Sequence, residues 1–434
     1  MKCYVNHFGP LTTEVISIKN IWIVNHYAVS PELPGGTRHF DIGKVLVERG
    51  YKVTIFAAGY NHWTLKEEKI RGRESWREEY IEGVRFIWIR TPPYKRNDYK
   101  RVINVLTFSL RVLLLCMALK EKPDVIVGSS PHFFAPLSAY IIARKRKARF
   151  IYEDRDLWGQ TLTLTPLNKG KRFFVSLMAK LEKFLYQRAW KIISVPPGGI
   201  EILKKLGIPS NKIYHIPNGV DISYFQIMDK NLPKELDSFL RDAKRENYFL
   251  IVHTGRLHRA YGLDNVLQCS SLLNSRGYTK IHFVLVGDGE DKERLLGIKE
   301  KLGLQNVHFF PLIPKTTLPY LLKQCDVALA CLNRVPRYKI TGLSLNKLVH
   351  YMASGIPVIT AIEALNNPIE EAGSGLSVEP ENPEALCSAI ISFYNMDSKE
   401  RKEMGRKGLE YIKNNLSTPV LGGKFLKVIE DERY

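Results

Sequence analysis

The stretch Ser344–Leu386 gathers polar side chains where an α/β fold collects ligands. Asn346, Lys347, His350, Asn366, Asn367 and Glu370 fall at the ends of a run that reads helix, Gly-Pro stop, buried strand, loop, strand and Pro-started helix. In a doubly wound domain the loops at the carboxyl ends of the strands form the ligand crevice. A cation, an imidazole, amides and a carboxylate meeting there suit a charged, hydroxyl-rich ligand. Gly35-Gly36-Thr37-Arg38 forms a second candidate loop, after the first strand. Its glycines let backbone N–H groups approach an anion, and the helix that follows aims its positive end at the same point. Glu153-Asp154-Arg155-Asp156-Leu157-Trp158 closes another strand. Three acids beside an arginine suit either hydroxyl binding or a structural ion network. Ser129-Ser130-Pro131-His132 joins a histidine to a helix N-cap signal.

The elements that must hold these loops alternate regularly. Apolar strand runs are expected at 21–26, 52–57, 86–90, 125–127, 150–154 and 192–195, with helices at 39–50, 101–119, 132–145 and 171–189. A second series places strands at 248–254, 281–286, 307–310, 326–330, 357–360 and 376–378. Repeated βα units imply parallel sheets with right-handed crossovers. The fold expected is therefore α/β, with two Rossmann-like doubly wound domains facing a central cleft. We place the first domain at 1–221 and the second at 222–415, followed by a C-terminal helix, 416–434, able to return to the first domain. Residues 1–19 precede the first strand as an extension of unassigned role.

The 434 residues exceed one hydrophobic core, and 45% hydrophobic with 25% charged residues is ordinary for a globular protein. The net charge of +20 is not ordinary, and it is uneven. Residues 1–200 hold 33 Lys+Arg against 17 Asp+Glu, whereas the rest hold 31 against 27. The first half should thus meet a polyanionic surface. Cysteines 3, 116, 269, 325, 331 and 387 form no CxxC pair and lie in apolar runs, as reduced core thiols do. No signal peptide is read at the N-terminus, and the apolar run Val102–Leu119 is short for a bilayer span and interrupted by Arg111. It is expected as a buried or interfacial helix.

Five linked motifs carry a family resemblance: Gly35-Gly36, IPNGVD at 216–221, TGRLHRAYGL at 254–263, VGDGED at 286–291 and LNKLVHYMASGIPV at 345–358. Together they resemble the GT-B glycosyltransferases of family 4, retaining enzymes that use nucleotide sugars, and most of all the bacterial transferases of O-antigen, capsule and exopolysaccharide biosynthesis. The resemblance spans residues 20 to about 415. It implies that Gly35 and Gly36 lie by the donor diphosphate, and that Gly255 and Arg256 lie by the leaving phosphate. His132 is implied against the donor sugar, and Asp154, Asp156, Trp158 and Arg38 beside the acceptor. Arg256, Arg259 and His132 are the expected catalytic set. Lys347, His350, Asn346, Asn367 and Glu370 are the expected donor contacts. Two departures stand out. The family's lysine before the second glycine is Tyr261 here, leaving Arg259 or Lys347 to supply that charge. The family's two glutamates, seven residues between them, are Gly342 and His350.

No bound cofactor is implied, only a nucleotide-sugar substrate, UDP- or GDP-linked. No DxD-like metal motif sits in a suitable loop, so a metal-independent reaction is expected. The basic, aromatic-bearing segments ARKRKARF at 143–150, KGKR at 169–172 and the helix 173–190 suit an anionic bilayer. The expected partners are therefore a nucleotide sugar, a lipid-linked oligosaccharide acceptor and the inner membrane surface, with no nucleic acid. The expected location is cytoplasmic, peripheral to the plasma membrane. A GT-B sugar-nucleotide epimerase, or a non-catalytic subunit of a polysaccharide assembly complex, stands as the alternative.

Overall fold

A computed structural model describes residues 19–431, apart from 97, 158, 160–168 and 226–228. In the first half, β1 (Asn20–Val24), β2 (Lys52–Ala58), the small β3/β4 hairpin (Tyr60–Asn61, Lys66–Glu67), β5 (Trp76–Ile81), β6 (Val84–Ile89), β7 (Val125–Ser129), β8 (Arg149–Asp154), β9 (Lys191–Ser194) and β10 (Ile213–His215) alternate with helices. These are α1 (Arg38–Glu48), α2 (Tyr99–Ala118), α3 (Phe134–Arg146), α4 (Lys169–Arg188) and α5 (Gly199–Lys205). Eight of the strands form one sheet in the order β10-β9-β8-β7-β1-β2-β6-β5. Every pairing in it is parallel except β5 with β6. Its central strands are buried on both faces, which is why they read as unbroken apolar runs. α2, α3 and α4 pack on one face through Phe108, Val112, Ala139, Ile142 and Leu185. α1 covers the other through Phe40 and Leu46.

The second half holds α6 (Lys234–Arg245), β11 (Phe249–Thr254), α7 (Leu263–Ser275), β12 (Ile281–Val286), α8 (Lys292–Lys301), β13 (Val307–Phe310), α9 (Leu318–Lys323), β14 (Val327–Cys331) and α10 (Tyr338–Thr341). It continues with α11 (Asn346–Ala353), β15 (Val358–Ala361), α12 (Pro368–Ala372), β16 (Gly375–Val378), α13 (Pro383–Asn395) and α14 (Ser398–Tyr411). Its six strands pair in parallel in the order β13-β12-β11-β14-β15-β16. Each sheet reverses its winding once, beside β1 in the first and beside β11 in the second. Those switch points are where α/β folds bind ligands.

After a π-helical turn at Ile412–Leu416, α15 (Thr418–Glu430) crosses back and packs on α1. Leu421, Phe425 and Ile429 enter the same core as Ile21, Phe40 and Ile55. The helices meet at Gly422, where a Cβ would stand 2.4 Å from Val45 Cγ1, so only glycine permits this approach.

The sequence reading anticipated neither β5 nor the β3/β4 hairpin. β5 is an antiparallel edge strand whose WREEYI residues are mostly exposed. Charge on such an edge discourages pairing with other chains, and it removes the apolar signal by which a strand is recognised.

Candidate active site

The carboxyl ends of the two sheets face each other across a cleft. Gly198 N–H donates to Thr341 O (2.8 Å) between the first domain and the turn that ends α10. Lys315, in the loop after β13, donates to the carbonyl of Gly35 across the same gap. Between these contacts lies a cavity lined by Gly35, Gly36, Asp41, Lys315, Asn346 and His350, with the 218–225 linker as its third wall.

On the second domain's side the loops after β11 and β12 are zipped together. Gly255 N donates to Val286 O (2.9 Å) and Leu257 N to Asp288 O (2.8 Å). Arg256 leaves this loop half-exposed, its guanidinium 2.8 Å from Glu290, which also meets His258 at 3.0 Å. The exposed Arg259 opens a short 3-10 turn whose carbonyl accepts from Asn333 (2.9 Å). Lys347, from the first turn of α11, reaches back under the loop. Its Nζ lies 3.8 Å over the ring of Tyr261 and 3.3 Å from His253 Nε2. His253 Nδ1 faces Leu329 O at 3.1 Å. A carbonyl can only accept, so Nδ1 carries the proton and Nε2 accepts from Lys347. Burial lowers the Lys347 pKa to about 7. The Lys347 amine therefore stands beside Tyr261, the residue at the family's lysine position.

The two glutamate positions are resolved differently. Gly342 adopts φ +70°, and a Cβ there would lie 2.4 Å from Pro197 Cγ and 2.7 Å from Asn366 Oδ1. No side chain fits, because the first domain's 196–199 turn occupies that space. His350 does line the cavity, 6.0 Å between centroids from Phe225, with burial and the nearby Lys315 lowering its pKa to about 4. It is neutral at physiological pH. Asn346 faces the glycine loop, its Nδ2 3.3 Å from where a Cβ on Gly36 would stand. Asn367 is engaged in the fold: its Oδ1 caps α12 and its Nδ2 donates to Ser377 Oγ (2.6 Å). Glu370 is exposed in the first turn of α12.

The first domain's wall rests on the buried Glu153. Arg38 Nε (2.9 Å), His39 Nε2 (2.6 Å) and Ser129 Oγ (2.6 Å) all converge on its carboxylate. Burial opposes that charge, yet Arg38 and His39 outweigh it and hold the carboxyl well below the usual range. Arg38 also donates to the carbonyls of Ile216 (2.8 Å) and Pro217. It ties the linker to the first domain while also lining the cavity. Asp154 is likewise internal. One oxygen accepts from Leu157 N (2.8 Å) and Asp156 N (3.2 Å), and the other accepts the Tyr186 hydroxyl. Asp156 is exposed beside this turn, and Trp158 lies outside the described residues.

His132 is buried, with Nδ1 accepting from Ala135 N (3.3 Å) and Nε2 2.9 Å from His26 Nδ1. Because Nδ1 accepts, Nε2 bears the proton and donates to His26. Neither nitrogen faces the cleft unengaged, so a direct sugar contact would require that pair to open. Residues the sequence reading missed stand in front of it. Tyr27 accepts from Arg101 (3.1 Å), and His62 Nδ1 pairs with the Tyr94 hydroxyl (2.6 Å). Burial, with the charges of Arg101 and of Arg256 from the opposite wall, lowers the His62 pKa to about 4. Asp41 was missed too; burial raises its pKa to about 7. Tyr27, His62 and Lys315 each follow a strand end by a few residues, a signal available in the sequence. Asp41 lies inside a helix and gives none.

The model of the family described as Glycosyltransferase Family 4 matches residues 35–224, and that described as Glycosyl transferases group 1 matches 237–411. The chain belongs to glycosyltransferase family 4. A similar curated relative is WcaI of Escherichia coli (strain K12), whose name provisionally assigns it to colanic acid biosynthesis as a glycosyl transferase. It is 27% identical over 375 residues, covering 83% of this chain and 89% of WcaI. Among solved structures, sucrose-phosphate synthase from Thermosynechococcus elongatus superimposes with a TM-score of 0.70 at 17% identity, covering 95% of this chain and 98% of that one. HepE of Anabaena in complex with UDP-glucose gives 0.64 at 14%, covering 94% and 98%. This glycosyltransferase thus has the GT-B fold, as its motif order implied.

Proposed function

We propose that this family 4 glycosyltransferase transfers a sugar, with retention, from a UDP- or GDP-linked donor to a lipid-linked saccharide in cell-surface polysaccharide biosynthesis. The observation that carries the reading is the convergence of Arg256 and the partly buried Lys347 on the carboxyl end of β11, opposite the Tyr27–His62–Arg101 crevice. Leaving-group departure places negative charge on a diphosphate, and fixed cations aimed at it lower the barrier. A β-phosphate held there is also positioned to take the acceptor's proton, which requires no protein nucleophile and no metal. His350 and Asn346 suit hydroxyls of the donor, and the aromatic crevice suits an acceptor sugar. The names of WcaI and of UDP-glucose-bound HepE support a polysaccharide product and a nucleotide-sugar donor. The basic first half supports work at the cytoplasmic face of the membrane.

A thermal-shift screen of nucleotide sugars, followed by transfer to membrane extract and assignment of the product's anomeric configuration by NMR, tests the proposal. A ligand at about 100 times its dissociation constant stabilises by about 2.7 kcal/mol. Failure of every nucleotide sugar to raise the melting temperature would sink it. Conversion of donor with no acceptor present would favour the epimerase alternative.

A further inference from the structure

α2 carries two faces. Asn104, Val105, Phe108, Val112 and Cys116 are buried against the sheet. On the opposite side Val102, Ile103, Leu106, Leu110, Leu114 and Met117 form one exposed stripe, with Leu110 57% and Leu114 61% exposed. The spacing is that of a single helix face running the length of the element. α4, on the far side of α3, adds exposed Phe173, Leu177 and Phe184 to the same layer. So large an apolar area is unusual on a solvent-facing helix layer.

The charges around it have one dominant sign. Lys100, Lys120 and Lys122 are exposed at the two ends of α2. Arg144, Lys145 and Lys147 are exposed where α3 ends beside them, held there by Arg146, which donates to the carbonyls of Cys116 (2.6 Å) and Met117 (3.0 Å). Lys180 and Lys183 continue the pattern on α4. A second copy of this surface would bring like charges together, whereas an anionic lipid surface neutralises them and accepts the apolar stripe. Although α2 is long and apolar enough by composition to cross a bilayer, leaving the sheet would strip Phe108, Val112 and Cys116 from the core.

We propose that α2 lies in the plane of an anionic bilayer, its Val102–Met117 stripe at the acyl boundary and the flanking lysines among the headgroups. Arg101, in the first turn of α2, touches Tyr27 in the acceptor crevice, so the crevice lies beside the N-terminal end of the stripe. A saccharide on a lipid anchor would reach the cleft without leaving the membrane. This deepens the lipid-linked-acceptor reading above and rests on it for the last step only.

The test is flotation of the full chain with phosphatidylcholine vesicles and with vesicles containing 30% phosphatidylglycerol, chosen as roughly a physiological anionic content. We expect binding to the anionic vesicles, and at least a roughly tenfold loss of the bound fraction in L110E/L114E with an unchanged melting temperature. The K145E/K147E variant, which leaves the stripe intact, should lose binding in parallel. Undiminished flotation of L110E/L114E overturns the proposal, as does a concentration-dependent dimer that this variant abolishes. Wild-type protein that floats yet binds no nucleotide sugar overturns the transferase reading and leaves the docking face standing. Normal nucleotide-sugar binding without flotation does the reverse.

Discussion

Lys347 should take up a proton when the donor binds. Its ammonium is held at a pKa of about 7 by burial, against an ordinary 10.5. That gap corresponds to about 5 kcal/mol of disfavoured charge at most. The depressed value means that the folded state holds fewer protons than the unfolded one between pH 7 and 10.5. Stability is then full above 10.5 and is lost as pH falls towards 7. A diphosphate placed against Nζ reverses the balance and restores the charge. Uptake on binding should be about 0.1 proton at pH 6, about 0.5 at pH 7 and about 0.9 at pH 8, if the bound pKa returns above 9. A nucleotide sugar is the right probe, because its doubly esterified phosphates do not titrate in this range. Isothermal titration in buffers of different ionisation enthalpy reads the uptake as a slope. K347M should flatten that slope at pH 8, and any remainder would report Asp41, which lines the cavity with a pKa of about 7. A wild-type binding enthalpy independent of buffer at pH 8 would refute the assignment of Lys347 to the diphosphate.

Four further outcomes follow from named contacts. Arg256→Ala should lower kcat/KM for transfer by roughly 10²- to 10³-fold while changing the melting temperature little, since its ion pair with Glu290 is half-exposed; equal rates in the two proteins would remove Arg256 from the reaction. Glu153→Ala leaves Arg38 and His39 unpaired in the core and should cost about 3–5 kcal/mol, read by urea denaturation, with a small loss counting against the anchor. The depressed pKa of the same carboxyl predicts stability present above the ordinary carboxylate range and lost as pH falls towards the folded value, a limb that Glu153→Gln should remove. Gly342→Glu, which restores the family's carboxylate, should destabilise by about 2 kcal/mol or more, because φ +70° and Pro197 leave it no space; a stable and more active variant would show that the domains move apart there.

Much of this architecture is legible in the sequence. The buried strands of both sheets, the loop glycines and the order of motifs follow from continuous apolar runs punctuated by turn residues, and the GT-B fold follows from their sequence of appearance. What was not legible depends on contacts between distant segments. Nothing local shows that Lys347 reaches Tyr261, 86 residues earlier in the chain, or that Pro197 fills the place of a glutamate. The same holds for Arg38 and Asp154, whose charged side chains near a cleft read as ligand contacts. Their partners, Ile216, Pro217 and Tyr186, become neighbours only once the sheet is assembled. The polar signal identified the right walls, and tertiary pairing decided which side chains still face inward.

The return of α15 to α1 has a consequence for synthesis. The hydrophobic interior shared by Ile21, Phe40 and Ile55 is closed by Leu421, Phe425 and Ile429, which leave the ribosome only after the whole second domain. During translation the first domain must wait, with one flank uncovered, while the whole second domain is made and folds. That interval exposes apolar surface to aggregation and invites a chaperone or an early lipid encounter. A nonsense mutation just ahead of α15 would therefore damage the first domain, whose own codons it leaves untouched.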